Sequence, residues 1–219
     1  MAITDTERAA LLKDFGRAFH YVQLMRVWVD EDTHEVNVKA HSITLLVKKR
    51  IPIKMGTVMG RFFCDKCELD SLQNAPHTVT DNFSCHSNYL SSLVGGPQSV
   101  GSHSMGGGTY SCSYNFLKNF EGAPIDFTGY FVGVGQMGEG FTSVDGLPPE
   151  ARQVDITYRE QLPMLKLLNQ KSVHVRQNLT ADLHPITDIL GKYKQQGKPG
   201  ALKAAGELIK AGYKGNARW

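Results

Sequence analysis

The chain is predicted to be an α+β solenoid: a stack of about five to six short turns with a parallel sheet, capped by an N-terminal helix and a C-terminal helical hairpin. Three observations predict this. Three stretches are copies of one another: F-F-C-D-K-C-E-L-D-S-L-Q-N-A-P (Phe62 to Pro76), F-S-C-H-S-N-Y-L-S-S-L-V-G-G-P (Phe83 to Pro97) and Y-S-C-S-Y-N-F-L-K-N-F-E-G-A-P (Tyr110 to Pro124). Helical spacing of apolar residues is confined to the two ends. The 41% apolar and 21% charged composition over 219 residues is that of an ordinary globular chain, enough to bury a core.

Residues 5 to about 25 read as the first helix, with Asp5 or Thr6 as cap and Leu11, Leu12, Phe15, Phe19 and Val22 as its apolar stripe. That stripe covers the first end of the stack. Val36 to Val47 alternates as a strand and joins the sheet as its edge. These segments divide the chain into a helical cap (1–35), a solenoid (36–160) and a C-terminal helical cap with a basic tail (161–219).

The repeats align on one template: aromatic, x, Cys, x, x, Asn or Cys, x, Leu, x, x, Leu or Phe, then Pro four further on and an apolar residue after it. The first copy places Phe62, Cys64, Cys67, Leu69, Leu72, Pro76 and Val79 on it. The second places Phe83, Cys85, Asn88, Leu90, Leu93, Pro97 and Val100. The third places Tyr110, Cys112, Asn115, Leu117, Phe120, Pro124 and Phe127. The step from first to second copy, about 21 residues, and the run F-x-C-x-x-N-x-L both fit the leucine-rich-repeat pattern. Aromatic and Cys, two apart, share the inner side of a short strand. The Asn must then satisfy its amide on neighbouring backbone. Pro blocks a helix on the return path, which is expected to be irregular or extended.

Weaker copies flank these three. Val38, Ile43, Leu46 and Val58 fall near template positions upstream; Phe141, Val144 and Pro148 repeat half of it downstream. S-H-S-M-G-G-G (Ser102 to Gly108) reads as a loop inserted in one turn. Val132 to Gly140 reads as a glycine-rich interruption, and Val154 and Ile156 as the start of one more strand. The stretch Ile156 to Val175, with L-P-M-L-K-L-L, fits either a strand and turn or a short helix. Two helices then close the chain. Ile186, Ile189, Leu190 and Tyr193 form one stripe after Pro185; Leu202, Ala205, Leu208 and Ile209 form another, with Gly212 as C-terminal cap and K-Q-Q-G-K-P-G as linker.

C-D-K-C with His77, Cys85 and His86 nearby invites a zinc reading. The register argues against it. Cys64, Cys85 and Cys112 share one column and Cys67 stands in the Asn column, so the thiols spread along the stack instead of converging, and no metal or other cofactor is expected. Free buried Cys acts as a small apolar residue. Enzyme motifs are equally thin. G-S-H-S-M-G-G-G lacks Gly-x-Ser-x-Gly, and the G-x-G-x-x-G at Gly133 to Gly138 opens no helix. No catalytic residue is assigned.

Net charge is +3, unevenly placed: from Gly191 to Trp219 seven cations (Lys192, Lys194, Lys198, Lys203, Lys210, Lys214 and Arg218) face one Glu. A basic tail of this kind is either a solvated helix face or a contact for nucleic acid. No apolar run approaches the length of a membrane helix, and M-A-I-T-D-T-E-R has no signal-peptide pattern.

The phrase N-x-L-x-S-L-x-G-x-P-x-x-V (Asn88 to Val100), the lead-in D-E-D-T-H-E-V-N-V and the Lys-rich end G-Y-K-G-N-A-R-W resemble short leucine-rich-repeat proteins encoded by large tailed bacteriophages. The resemblance spans about Trp28 to Trp219 and is densest over 62–127. It implies a phage protein in the cytoplasm of the infected bacterial cell, or in the virion, with no defined activity. The function expected is non-enzymatic protein binding to a host or phage protein, as a host-takeover or anti-defence factor. The alternatives are a structural component of a virion or large assembly, and nucleic-acid contact through the basic tail. Partner-binding positions are the outward ones on the repeat face: Phe63, Asp65, Lys66, Ser84, His86, Ser87, Ser111, Ser113 and Tyr114.

Overall fold

A computed structural model describes residues 3–177 and 182–219. It is a solenoid of about seven turns with a parallel sheet and helices at both ends. Helix α1 (Asp5–Ala18) begins at Thr4, whose hydroxyl accepts from the Glu7 amide while the Glu7 carboxylate accepts from the Thr4 amide, a reciprocal cap. The helix stops at Ala18, short of the predicted Met25. Phe19 to Val29 is strand β1 instead, because its β-branched and aromatic residues pair antiparallel with β2 (Val36–Leu45). β2 is therefore the second strand, and β1 is the edge.

From β2 onward the described strands pair parallel to one another. β3 (Met55–Phe63) follows, then β4 (Thr78–Val79) with β5 (Phe83–Ser84), β6 (Ser99–Val100) with β7 (Thr109–Ser111), β8 (Tyr130–Gly133), β9 (Gln153–Thr157) and β10 (Val173–Arg176). β4 and β5 continue the two halves of β3 with a three-residue corner between them, as do β6 and β7 across the inserted loop. The return paths between copies hold no helix, as the prolines require. The parallel sheet runs from residue 36 to 176, beyond the predicted limit at 160.

The interior repeats column by column. Phe19, Phe62, Phe83, Tyr110 and Phe131 stack with ring centroids 6.0, 5.9, 4.9 and 5.2 Å apart in succession. Beside them three cysteine thiols point to the next turn: Cys64 Sγ to the Ser84 carbonyl at 3.4 Å, Cys85 to Ser111 at 3.5 Å and Cys112 to Val132 at 3.7 Å. All four cysteines are free and buried, and burial pushes the thiols of Cys64, Cys85 and Cys112 far up.

The Asn column is a ladder. Asn88 Nδ2 donates to the carbonyls of Cys64 and Cys85, and its Oδ1 accepts from the amides of Cys67 and Leu69. Asn115 Nδ2 donates to Cys85 and Cys112, and its Oδ1 accepts from Leu90. Gln136 takes the same place one turn on, donating to Cys112 and accepting from Leu117. Val132 to Gly140 is thus no interruption but part of a further repeat that starts at Phe131 in the aromatic column, with Gly133 in the Cys column. Cys67 is a shortened rung, its Sγ lying 3.6 Å from the Leu45 carbonyl of the preceding turn. The residue before each rung is left-handed: Lys66 (φ 56), Ser87 (φ 56), Tyr114 (φ 54) and Gly135 (φ 73). At Gly135 a Cβ would meet the Tyr114 ring at 2.6 Å, so a side chain there would push that ring aside.

After β9 the L-P-M-L-K-L-L stretch takes the helical of its two readings, as a 3-10 helix (Met164–Asn169), and β10 follows it. Helices α2 (Ile186–Tyr193) and α3 (Gly197–Lys210) close this end. α3 begins inside the predicted linker. Its buried side is Gly200, Ala201, Ala204 and Leu208, while Leu202 and Ile209 face solvent. The Tyr213 and Gly212 amides donate to Leu208 and Ile209, ending the helix in a Schellman turn.

Candidate functional site

The outer face of the sheet and its rim hold the predicted partner-binding residues. Phe63, Ser84 and Ser111 pair in one row across β3, β5 and β7. Four residues come together at its centre. Asp65 Oδ1 accepts from the Ser84 hydroxyl at 2.6 Å and from the His86 amide at 2.9 Å, while Asp65 Oδ2 lies 3.4 Å from His86 Nε2. His86 Nδ1 lies 2.9 Å from Ser87 Oγ. This has the connectivity of an activated serine, but the nearby amides are spent: Lys66 N–H donates to His86 and Ser87 N–H to Ser113. Neither amide is free to hold an oxyanion. The two bonds to Asp65 join adjacent turns.

Two of the predicted contact residues are not available to a partner. Ser84 is buried, and Ser113 is buried with its hydroxyl donating to Val132 and accepting from the Val134 amide. Their small hydroxyls stay inside the sheet's own hydrogen bonding, which the outward count along the strand could not show. Phe63, Asp65, His86, Ser87 and Ser111 are half-buried, and Lys66 and Tyr114 are exposed.

Beside this row runs a stripe that the sequence reading passed over. Tyr89 (56% exposed), Phe116 (39%) and Met137 (36%) occupy the position directly after Asn88, Asn115 and Gln136. The Tyr89 and Phe116 rings are 6.3 Å apart. Tyr114 adjoins them over Gly135. The signal was present: in N-Y-L and N-F-L the residues on both sides are inward, so the middle one must point out. The N-terminal end of the stripe meets Lys48, which is ion-paired with Glu68.

The basic residues near the C-terminus form no free tail. Lys192 pairs with Glu207 at 2.9 Å, Lys194 donates to the Lys171 carbonyl, and Arg218 donates to the Gly215 and Gln161 carbonyls. Lys198, Lys203 and Lys210 ride on α3, and Lys214 begins the 3-10 turn that follows. Among the described residues no group of three or more His, Cys, Asp or Glu could hold a metal ion, and no helix is long and apolar enough to cross a membrane. Comparison with known proteins gives no match to a family model, a curated protein or a solved structure.

Proposed function

We propose that this chain is a non-enzymatic protein-binding module of leucine-rich-repeat character, docking its partner along the rim formed by Tyr89, Phe116, Met137 and Tyr114. The stripe itself carries the reading. Four large side chains stand exposed on three consecutive turns, each next to a buried amide rung. Stacked repeats present extended surfaces of this kind, and rigid aromatic residues are the usual anchors of protein interfaces. The partner is a protein that offers apolar side chains to the stripe and polar groups to Lys66, His86 and Ser111. In line with the phage resemblance, it is a host or phage protein in the cytoplasm of the infected bacterial cell.

The test is capture of a partner from infected cells, followed by measurement of its affinity for the wild type, Tyr89→Ser/Phe116→Ser and Tyr114→Ala. The expected outcome is at least a tenfold loss in the double variant with an unchanged melting temperature. Equal affinity for all three chains rejects the stripe. Binding that instead falls steeply with salt, and is lost when Lys198, Lys203 and Lys210 are neutralised, favours nucleic acid.

A further inference from the structure

Three departures from the regular stack meet at one place. In β1, Gln23 is left-handed (φ 50) and the register against β2 shifts between Leu24 and Arg26. The β2–β3 register shifts between Lys39 and Ser42. Gly60 (φ 140) lies opposite, where a Cβ would stand 2.0 Å from the Ala40 carbonyl oxygen, so only glycine fits. The inserted loop 102–108 then folds back onto the preceding turn. Its His103 amide donates to the Thr80 carbonyl, and its Ser104 hydroxyl to the Asp81 carboxylate at 2.7 Å. Bulges re-aim side chains and gather next to binding sites. These three border an open groove of about 460 Å³ outside β1, β2 and β3, a volume that takes a small molecule.

The groove has a sign and a texture. Lys39, His41 and His103 line it with an ammonium and two imidazoles. Asp81 also lines it, but its carboxylate is held by Arg61 Nε at 2.9 Å and by Ser104. Burial raises the Asp81 carboxyl, and the bonds from Ser104 and Arg61 outweigh that and hold it low, so it stays ionised and neutralised by Arg61. Asp81 therefore leaves the Lys39 ammonium of the lining unneutralised, and the two imidazoles add hydrogen-bonding nitrogens beside it. Met25 (63% exposed) and Met59 (40%) add two adaptable thioether side chains.

We propose that this groove binds a small organic phosphate. The phosphate lies against Lys39, His41 and His103, and an aromatic or apolar body lies on Met25 and Met59. A phosphomonoester matches the lining: its two negative charges suit a compact ammonium with flanking imidazole donors, and thioethers contact aromatic rings favourably. The site does not depend on the protein-docking stripe, which uses none of these residues.

The test is calorimetric titration of the full chain at low ionic strength with AMP, 1-naphthyl phosphate, adenosine and inorganic phosphate. Both phosphomonoesters are expected to bind, and adenosine at least tenfold more weakly than AMP. Lys39→Ala/His103→Ala should weaken AMP at least tenfold. Met25→Ser/Met59→Ser should weaken AMP while leaving inorganic phosphate unchanged. The replaced side chains are exposed, so the variants should melt with the wild type. The proposal is overturned if neither phosphomonoester binds at about 10 mM, a level that would detect even millimolar affinity, if adenosine matches AMP, or if the lysine–histidine variant binds AMP as the wild type does.

Discussion

The central turns and the C-terminal cap solve one problem by different means. Every turn leaves backbone amides and carbonyls buried where the chain bends away from the sheet, and each must be paired. In the centre the turn supplies its own amide: Asn88, Asn115 and Gln136 each bridge two turns that lie 19 to 30 residues apart in sequence. At the C-terminal end that column holds Arg159, whose guanidinium donates to the Gln136 carbonyl of the preceding turn but offers no acceptor for an amide. Its own carbonyl and that of Leu162 are instead met by Nδ2 of Asn216, a fully buried residue that arrives 57 and 54 residues later. The Tyr158 hydroxyl donates to its Oδ1 at 3.3 Å. A local rung is part of every neighbour's stability; a borrowed rung ties down only the end it closes.

The largest expected effect therefore falls in the centre. Asn88→Ala strips partners from two amides and two carbonyls, and should cost about 4 kcal/mol in urea unfolding. Leu90→Ala, a fully buried truncation on the same turn, should cost about 3 kcal/mol. Asn216→Ala should cost about 2 kcal/mol, and native-state hydrogen exchange should show the loss in α2 and α3 while the protection of β5 and β7 stays. Equal losses spread over the whole chain in the Asn88 and Asn216 variants would erase the distinction between the two regions.

The cysteine column sharpens the comparison through pH. Burial raises the Cys64, Cys85 and Cys112 thiols in the folded state, so the folded chain keeps protons that the unfolded chain gives up. Stability is fully present below the unfolded thiol value near 8.5 and falls above it, by about 1.4 kcal/mol per thiol per pH unit. Urea midpoints measured from pH 7 to 10 should hold and then drop; a flat profile would mean that the column is wet. The smallest effect is a gain. The Tyr110 hydroxyl is buried without a partner, and Tyr110→Phe should stabilise by about 1 kcal/mol. A loss instead would reveal a hidden partner for that oxygen.

How much was legible depended on whether a side chain's neighbours were close in sequence. The stack, the columns through Phe62, Cys64 and Cys67, the loop at 102–108 and the closing helices could be read directly, because copies at fixed offsets announce the same local environment three times. Gln136 was missed because its turn replaces Cys by Gly and Asn by Gln, keeping the geometry while losing the letters. β1 was missed because Phe19 and Val22 fit helical spacing as well as a strand, and only pairing with β2 decides between them. Of the predicted contact face, Tyr114 and Lys66 are exposed, whereas Ser84 and Ser113 are covered, their hydroxyls bonded to adjacent turns.

By itself the sequence determined that this chain coils, and which residues line the coil. A turn too short to bury its own apolar side has no stable form except against a copy of itself, and the repeat writes that requirement openly. The tertiary structure alone decided what lies outside the coil: the exposed aromatic rim, the groove where two bulges and a loop converge, and the late asparagine that closes the last turns. Those arrangements join residues from distant parts of the chain, and no local pattern encodes a meeting whose partners are set by the path of the backbone between them.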